Sequence, residues 1–175
     1  MRILVTGGVR SGKSHHAESL LREEPSVSYL ATGPDEAAEP DPDWAHRLAV
    51  HRARRPATWT TVESSDPATA LAESTDAVLL DCLGTWLTAQ VDRQGMWEEP
   101  VDEVTSMMRH ETARLTAALQ RPQLTVLVTN EVGLGVVPEH RSGRLFRDVL
   151  GEVNREVAAA CDEVHLVVAG RVLVL

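Results

Sequence analysis

The sequence predicts an α/β fold in which helices cover both faces of a mainly parallel sheet. Short apolar runs rich in β-branched residues alternate with helix-forming segments, a pattern typical of strands that are buried on both sides. The first run, residues 2–7, leads through a glycine-rich loop into a helix-forming segment. A chain of 175 residues has the length of one domain. We therefore predict a single domain over residues 1–175.

The first elements are separated by glycine and proline. Residues 2–7 predict a buried strand that ends at Gly7, and helix formers follow from Lys13 until Pro25 stops the helix. Residues 27–33 predict a second buried strand. Strand, glycine-rich loop, helix and strand is the order in which such a loop binds phosphate.

The middle of the chain begins with a polar segment. Residues 33–56 predict a mobile loop and a short helix, because three prolines and five acidic residues precede a run of helix formers. Residues 58–63 predict an edge strand, and Asp66 is placed to cap the helix that follows. Residues 77–81 predict an apolar strand that ends in an acid.

The C-terminal part continues the same alternation. Residues 101–119 and 144–161 predict helices, and residues 124–131 predict a buried strand between them. Residues 163–175 supply closing strands. In a parallel sheet, ligands bind outside the carboxyl ends of the strands. We therefore expect one shared rim to hold the residues at the predicted strand exits, namely Gly7 to Ser14, Thr32, Glu63, Asp81, Asn130 and Glu131.

The composition limits the classes of partner and the compartment. A net charge of −9 argues against a broad nucleic-acid surface, so an anionic nucleotide would need a local positive site. No apolar run approaches the ~20 residues of a membrane span, and no signal region precedes the first strand. Cys82 and Cys161 are too few for a disulfide framework. We predict a cytoplasmic protein.

The loop after the first strand matches the pattern G-x-x-x-x-G-K-[ST]. Its predicted nucleotide-binding residues are Gly7, Gly8, Val9, Arg10, Ser11, Gly12, Lys13 and Ser14. Lys13 is the only lysine in the chain, although Lys and Arg together number 17. Its ammonium group can reach the terminal phosphates, and the Ser14 hydroxyl can ligate Mg²⁺. These features predict a P-loop NTPase-like, RecA-like fold. The alternative for the loop is a glycine-rich turn that binds nothing.

Two acids at strand exits are candidates for metal chemistry. Asp81 ends a predicted core strand beside the phosphate loop and is placed to hold Mg²⁺ directly or through water. Its alternative role is to cap the next helix. Glu131 is a candidate for contacts with the metal or with a substrate hydroxyl, or for structural capping.

His51 is the candidate nucleophile. It lies among Arg52, Arg54 and Arg55, and nearby cations favour a neutral imidazole, which attacks phosphorus. The same cations attract polyphosphate and stabilise a diphosphate leaving group. The alternative is an arginine-rich helix end that is merely solvated. His15 and His16 are predicted to be surface residues.

Together these segments resemble the bifunctional adenosylcobinamide kinase / adenosylcobinamide-phosphate guanylyltransferase family of cobalamin synthesis. The resemblance rests on "ILVTGGVRSGKSHHAE", "YLAT", "HRARRPATWTTVE", "VLLDCLGTWLT" and the long block that starts at "VLVTNEVGLGVVPEH". It implies that ATP or GTP phosphorylates the aminopropanol hydroxyl of adenosylcobinamide. GMP from GTP then passes through a GMP–histidine intermediate to that phosphate, giving adenosylcobinamide-GDP.

The resemblance also implies site residues and an assembly. The histidine that carries GMP falls on His51, with Lys13 as the second catalytic residue. The GTP-contacting positions outside the glycine-rich loop fall on Thr32, Gly33, Pro34, Arg52, Ala53, Arg54, Arg55, Glu63 and Asp81. Relatives are oligomers, commonly trimers, so we expect a homo-oligomer.

Two other functions stay open on the sequence. The first is a small-molecule kinase that catalyses one reaction only, for which His51 would be dispensable. The second is a nucleotide-dependent switch, although the chain lacks the N-K-x-D motif that reads guanine in such proteins.

Overall fold

The computed structural model describes residues 1–33, Ala49 and residues 55–175. The loop and short helix predicted over 33–56 therefore lie almost wholly outside the described residues. In chain order the described elements are β1 (Arg2–Gly7), α1 (Lys13–Leu20), β2 (Val27–Ala31), β3 (Trp59–Glu63), α2 (Pro67–Glu73), β4 (Ala77–Asp81), α3 (Leu83–Gln94), α4 (Val101–Ala118), β5 (Thr125–Val128), α5 (Arg141–Ala160), β6 (Glu163–Val168) and β7 (Arg171–Val174).

The described strands form one seven-stranded sheet in the order β3-β2-β4-β5-β1-β6-β7. Every neighbouring pair is parallel except β6 and β7, which run antiparallel. The predicted mainly parallel sheet and the edge position of β3 are confirmed. Within the described part of the chain, no helix has both the length and the apolar composition that a membrane span requires.

Alternate residues of the inner strands enter two separate cores. On one face of the sheet, Ile3 and Val5 pack with Ala17 and Leu21 of the α1 segment. On the other face, Leu4 packs with the side chains of α2, α3, α4 and α5. Helices therefore cover both faces, as predicted from apolar runs without polar alternation.

Several elements are shorter or longer than predicted. The segment 27–33 is a strand only to Ala31, which pairs with Glu63 and Asp81, the last residues of β3 and β4. The segment 124–131 ends as a strand at Val128, which pairs with Asp81 and Val5. The apolar pattern of one strand does not show where the neighbouring strands end. Both predicted strands therefore extended beyond the C-terminal edge of the sheet.

Candidate active site

The loop between β1 and α1 requires its two motif glycines. A Cβ atom at Gly7 would lie 2.4 Å from the carbonyl oxygen of Val167, so no side chain fits there. Gly12 is the N-cap of α1 and has a φ of 97°, a conformation that other residues rarely adopt. The first backbone N–H groups of α1 have no partner within the helix and point into this loop. The loop therefore has the geometry that binds an anion at a helix N-terminus.

Neighbouring groups hold the loop in place. The Lys13 ammonium group donates to the carbonyl oxygen of Gly8 at 3.2 Å, so the side chain folds back over the loop. The backbone N–H of Gly170, in the turn between β6 and β7, donates to Ser11 O at 2.8 Å. Val9 is 75% exposed at the loop's outer side. The positive group is thus positioned at the phosphate loop.

Asp81 accepts a hydrogen bond from a buried tyrosine. The Tyr29 hydroxyl donates to Asp81 Oδ2 at 3.0 Å, and Tyr29 is only 5% exposed. Burial raises the pKa of Tyr29 well above its ordinary value, and the nearby Asp81 charge raises this pKa further. The phenol therefore stays protonated and continues to donate. Tyr29 belongs to the "YLAT" segment, but the strand pattern gave no reason to assign it a role.

Arg55 covers the other side of the same tyrosine. Its guanidinium carbon lies 3.4 Å from the centre of the Tyr29 ring, which is a cation–π contact. Arg55 also donates from Nη1 to Thr61 Oγ1 at 3.0 Å. Arg55, Tyr29 and Asp81 thus form a continuous chain of contacts that ends at the strand-end acid.

Removing the Tyr29 hydroxyl is expected to weaken the function of Asp81. Tyr29→Phe keeps the ring under Arg55 but loses the hydrogen bond to the carboxylate. A hydrogen bond to a charged group contributes about 1.5–3 kcal/mol, so we expect phosphoryl transfer to fall about tenfold. The apparent Mg²⁺ requirement should also rise. Initial rates measured across a Mg²⁺ titration test both expectations.

Thr61→Val is the matched control for Tyr29→Phe. It removes a hydrogen bond to Arg55 and leaves the bond between Tyr29 and Asp81 in place. Its Mg²⁺ dependence should match that of the unmodified protein. Equal rates and equal Mg²⁺ dependence for Tyr29→Phe and the unmodified protein would show that the hydroxyl does not orient Asp81.

The start of α3 excludes one alternative for Asp81. Cys82, and not Asp81, is the N-cap of α3, and its backbone N–H donates to Thr85 Oγ1 at 3.2 Å. The Thr32 hydroxyl donates to the carbonyl oxygen of Cys82 at 2.8 Å, and Thr32 is 2% exposed. Asp81 is therefore not used as a helix cap. Thr32 stays a predicted nucleotide contact, but its hydroxyl orders the start of this helix.

The register of the sheet places two predicted acids at one level of the rim. Ala31 of β2 pairs with Glu63 on one side and with Asp81 on the other. Directly paired residues point to the same face of a sheet, and here it is the face that packs against α1. Gly33 follows two residues beyond Ala31. The structure brings these predicted residues to the edge where the phosphate loop begins.

The structure corrects the position of Asp81 relative to β1. β5 lies between β1 and β4, so Asp81 is two strands away from the phosphate loop and not on the adjacent strand. The strand that pairs with β1 leads instead to Glu131, whose backbone N–H donates to Gly7 O at 3.1 Å. The Glu131 carboxylate accepts from the backbone N–H of Gly133 at 2.8 Å. Glu131 is thus the acid attached directly to the loop.

A histidine pair joins α1 to the sheet behind the phosphate loop. His16 Nε2 lies 2.8 Å from His165 Nδ1, and His165 Nε2 lies 2.8 Å from Glu163 Oε2. A carboxylate only accepts, so His165 donates to Glu163 and receives a hydrogen from His16. His16 is half-buried, and its contact with His165, 149 residues away in the sequence, was not predicted. His15 is exposed, as predicted.

The histidine pair predicts a loss of stability in mild acid. Burial lowers the pKa of His16 below its ordinary 6.5, and the neighbouring His165 and His15 lower it further. The unfolded chain therefore takes up a proton before the folded one, and stability falls as the pH drops below 6.5. Denaturant unfolding at pH 7.5 and pH 5.5 measures this fall. His16→Gln keeps a donor but does not titrate, so its stability should depend less on pH.

His110→Gln is the control for this experiment. His110 is exposed on α4, on the opposite face of the sheet from α1, so its replacement should leave the pH dependence of unfolding unchanged. Equal pH dependence for His16→Gln and the unmodified protein would contradict the assigned cause.

Five predicted site residues lie outside the described residues: Pro34, His51, Arg52, Ala53 and Arg54. The described members of the predicted site are the phosphate loop, Thr32, Gly33, Arg55, Glu63 and Asp81. Mg²⁺ takes oxygen ligands, and Ser14 and Asp81 supply a hydroxyl and a carboxylate. Ser14 is the second residue of α1 and Asp81 accepts a hydrogen bond from Tyr29, so both are oxygen donors of the type that Mg²⁺ takes.

Comparison with known proteins identifies close sequence relatives. A family described as cobinamide kinase / cobinamide phosphate guanyltransferase matches residues 3–175. The bifunctional adenosylcobalamin biosynthesis protein CobU of Salmonella typhimurium is 45% identical, over 97% of this chain and 97% of that protein. Its counterpart in Escherichia coli is 43% identical with the same coverage. Protein CobP of Pseudomonas aeruginosa is 38% identical, over 97% of this chain and 94% of its own length.

Solved structures agree on the fold. A prototypical ATPase from the type III secretion system of pathogenic bacteria superposes with a TM-score of 0.58 at 12% identity. The match covers 94% of this chain and 50% of that one. At this identity the likeness supports the fold alone, and it agrees with the predicted P-loop NTPase-like architecture.

Proposed function

Since this chain belongs to the cobinamide kinase / cobinamide phosphate guanyltransferase family, we propose that it catalyses both reactions in cobalamin biosynthesis. ATP or GTP phosphorylates the hydroxyl of the aminopropanol arm of adenosylcobinamide. GTP then transfers GMP to this phosphate, which yields adenosylcobinamide-GDP and diphosphate. The observation that carries the proposal is the family match over residues 3–175 together with an intact phosphate loop around the only lysine.

In the first reaction, the acceptor's hydroxyl oxygen attacks the γ-phosphorus and the nucleoside diphosphate leaves. The loop N–H groups and Lys13 hold the phosphates and stabilise their charge. Ser14 and Asp81 would hold Mg²⁺, which neutralises phosphate charge when it is bound. Glu131, whose backbone N–H donates to Gly7 O, would accept the hydroxyl proton through its carboxylate.

In the second reaction, a neutral ring nitrogen of His51 attacks the α-phosphorus of GTP. An N–P bond forms, the bond to the bridging oxygen breaks, and diphosphate leaves. An oxygen of the cobinamide phosphate then attacks the same phosphorus, and the N–P bond breaks to restore the imidazole. Covalent catalysis lets diphosphate depart before the second anion reacts. Arg52, Arg54 and Arg55 would offset the charge on the leaving group.

A product assay tests the proposed function against its rivals. Purified protein is incubated with adenosylcobinamide, ATP, GTP and Mg²⁺. The corrinoids are then separated, and their masses are measured by mass spectrometry. Both the phosphate and the GDP-linked product are expected. Phosphate alone would favour a single-reaction kinase, and neither product would favour a nucleotide switch. A homotrimer stays a prediction, which light scattering of the purified protein can test.

A further inference from the structure

Three aliphatic side chains protrude from the loop that joins β5 to α5. Leu134 is 87% exposed, Val136 is 94% exposed and Val137 is 58% exposed. We call these three residues the apolar loop surface. Exposed aliphatic residues are ordinary when scattered, but here three lie within four positions, in the segment that follows Glu131.

The backbone on both sides of the apolar loop surface is fixed. Val132 packs against the main core, although residues 133–137, which follow it, are exposed. Three further hydrogen bonds hold the ends of the loop: Glu131 N–H to Gly7 O at 3.1 Å, Asn154 Nδ2 to Asn130 O at 3.0 Å and Arg144 Nη1 to Pro138 O at 3.1 Å. The aliphatic groups are therefore presented to solvent by an anchored loop. Such preorganisation lowers the cost of binding a ligand.

The groups along this rim occur in a definite order. The phosphate loop comes first, and Glu131 is bonded to it through Gly7. The apolar loop surface begins three residues after Glu131. The phosphate loop is thus bonded to the start of the segment that carries first an acid and then the apolar loop surface. An acceptor that carries a reactive hydroxyl on an arm of a broad apolar ring matches this order.

We propose that Leu134, Val136 and Val137 form the surface on which the corrin ring of the acceptor substrate lies. The proposal rests on the proposed function and adds the location of the ring. A corrin is a broad macrocycle with methyl groups on its faces, so it can cover several aliphatic side chains. Its hydroxyl arm then reaches back toward Glu131 and the phosphate loop.

A second copy of the chain is a less suitable occupant. Stable interfaces bury about 800 Å² on each partner, far more than three small side chains offer. The outer strand β7 provides a longer apolar surface for such a contact, since Val172, Leu173 and Val174 are all exposed there. A contact between copies through the apolar loop surface is therefore treated as an outcome of the test.

The test compares two double variants of the full-length protein. Leu134→Ser with Val136→Ser removes most of the apolar loop surface. Val174→Ser with Leu175→Ser removes similarly exposed aliphatic groups, 56% and 69% exposed, at the far end of β7. Binding of adenosylcobinamide is followed by quenching of tryptophan fluorescence, and the KM for adenosylcobinamide is measured in the kinase reaction. GTP affinity and oligomeric state are measured for each variant.

We expect the loop variant to raise the Kd and KM for adenosylcobinamide at least about tenfold. Its affinity for GTP and its oligomeric state should not change, and the β7 variant should bind adenosylcobinamide normally. An unchanged Kd in the loop variant would overturn the proposal, as would an equal loss in the β7 variant. A changed oligomeric state with normal corrinoid binding would assign the loop to an interface between copies. If the unmodified protein binds adenosylcobinamide but forms neither the phosphate nor the GDP-linked product, this result contradicts the proposed function. It does not contradict the location of the ring.

Discussion

His51→Ala is expected to phosphorylate adenosylcobinamide normally and to form no adenosylcobinamide-GDP. The first reaction needs the phosphate loop and Mg²⁺, neither of which depends on the imidazole. The second needs a nucleophile to hold GMP while diphosphate leaves, and alanine supplies none. Loss of a nucleophile costs a thousandfold or more, so we expect GMP transfer to fall by at least about 10³. Separate assays with adenosylcobinamide and with its phosphate distinguish the two rates.

His110→Ala is the matched control for His51→Ala. His110 is exposed on α4, which packs against the face of the sheet opposite to α1. Both reactions should proceed at the normal rate in this variant. Normal formation of the GDP-linked product by His51→Ala would remove His51 from the mechanism, while a loss of both reactions would show that His51 is needed for more than GMP transfer.

Lys13→Ala is expected to impair both reactions. Lys13 folds over the phosphate loop, and no other lysine exists in the chain to replace its charge. Removing one preorganised group that stabilises transition-state charge commonly costs about 10²–10³ in rate. We expect a loss of at least about 100-fold in phosphoryl transfer, with weaker nucleotide binding. Steady-state kinetics and nucleotide titration measure the two effects.

Lys13→Arg tests the shape of the group as well as its charge. A guanidinium group is planar and broader than an ammonium group, and it does not fit a site for a point charge. This variant should also be slow, although its charge is retained. The melting temperatures of both variants should stay close to that of the unmodified protein. Normal rates in Lys13→Ala would contradict the assignment of this loop as the phosphate site.

The sequence was sufficient where the signal is local. Apolar runs predicted the strands, and the cap at Asp66 was predicted from one residue type before a proline. The Asp66 carboxylate does accept from the backbone N–H of Thr69, at 3.2 Å. The glycines of the phosphate loop were found by their spacing, and the structure explains two of them by a close contact at Gly7 and a positive φ at Gly12.

Contacts between distant segments were not predictable from one sequence. Strand order is a property of the folded sheet, so the insertion of β5 between β1 and β4 was missed. The bond between His16 and His165 joins residues that share no local pattern. Tyr29 looked like one more buried strand residue, and only the structure shows its hydroxyl on Asp81.

Mass spectrometry of the protein after incubation with GTP and Mg²⁺ tests the central claim most directly. We expect one GMP attached through an acid-labile N–P bond, in the peptide that contains His51. The adduct should disappear when adenosylcobinamide phosphate is added, with release of adenosylcobinamide-GDP. An unmodified protein that still forms this product, or GMP attached to a different residue, would contradict the account.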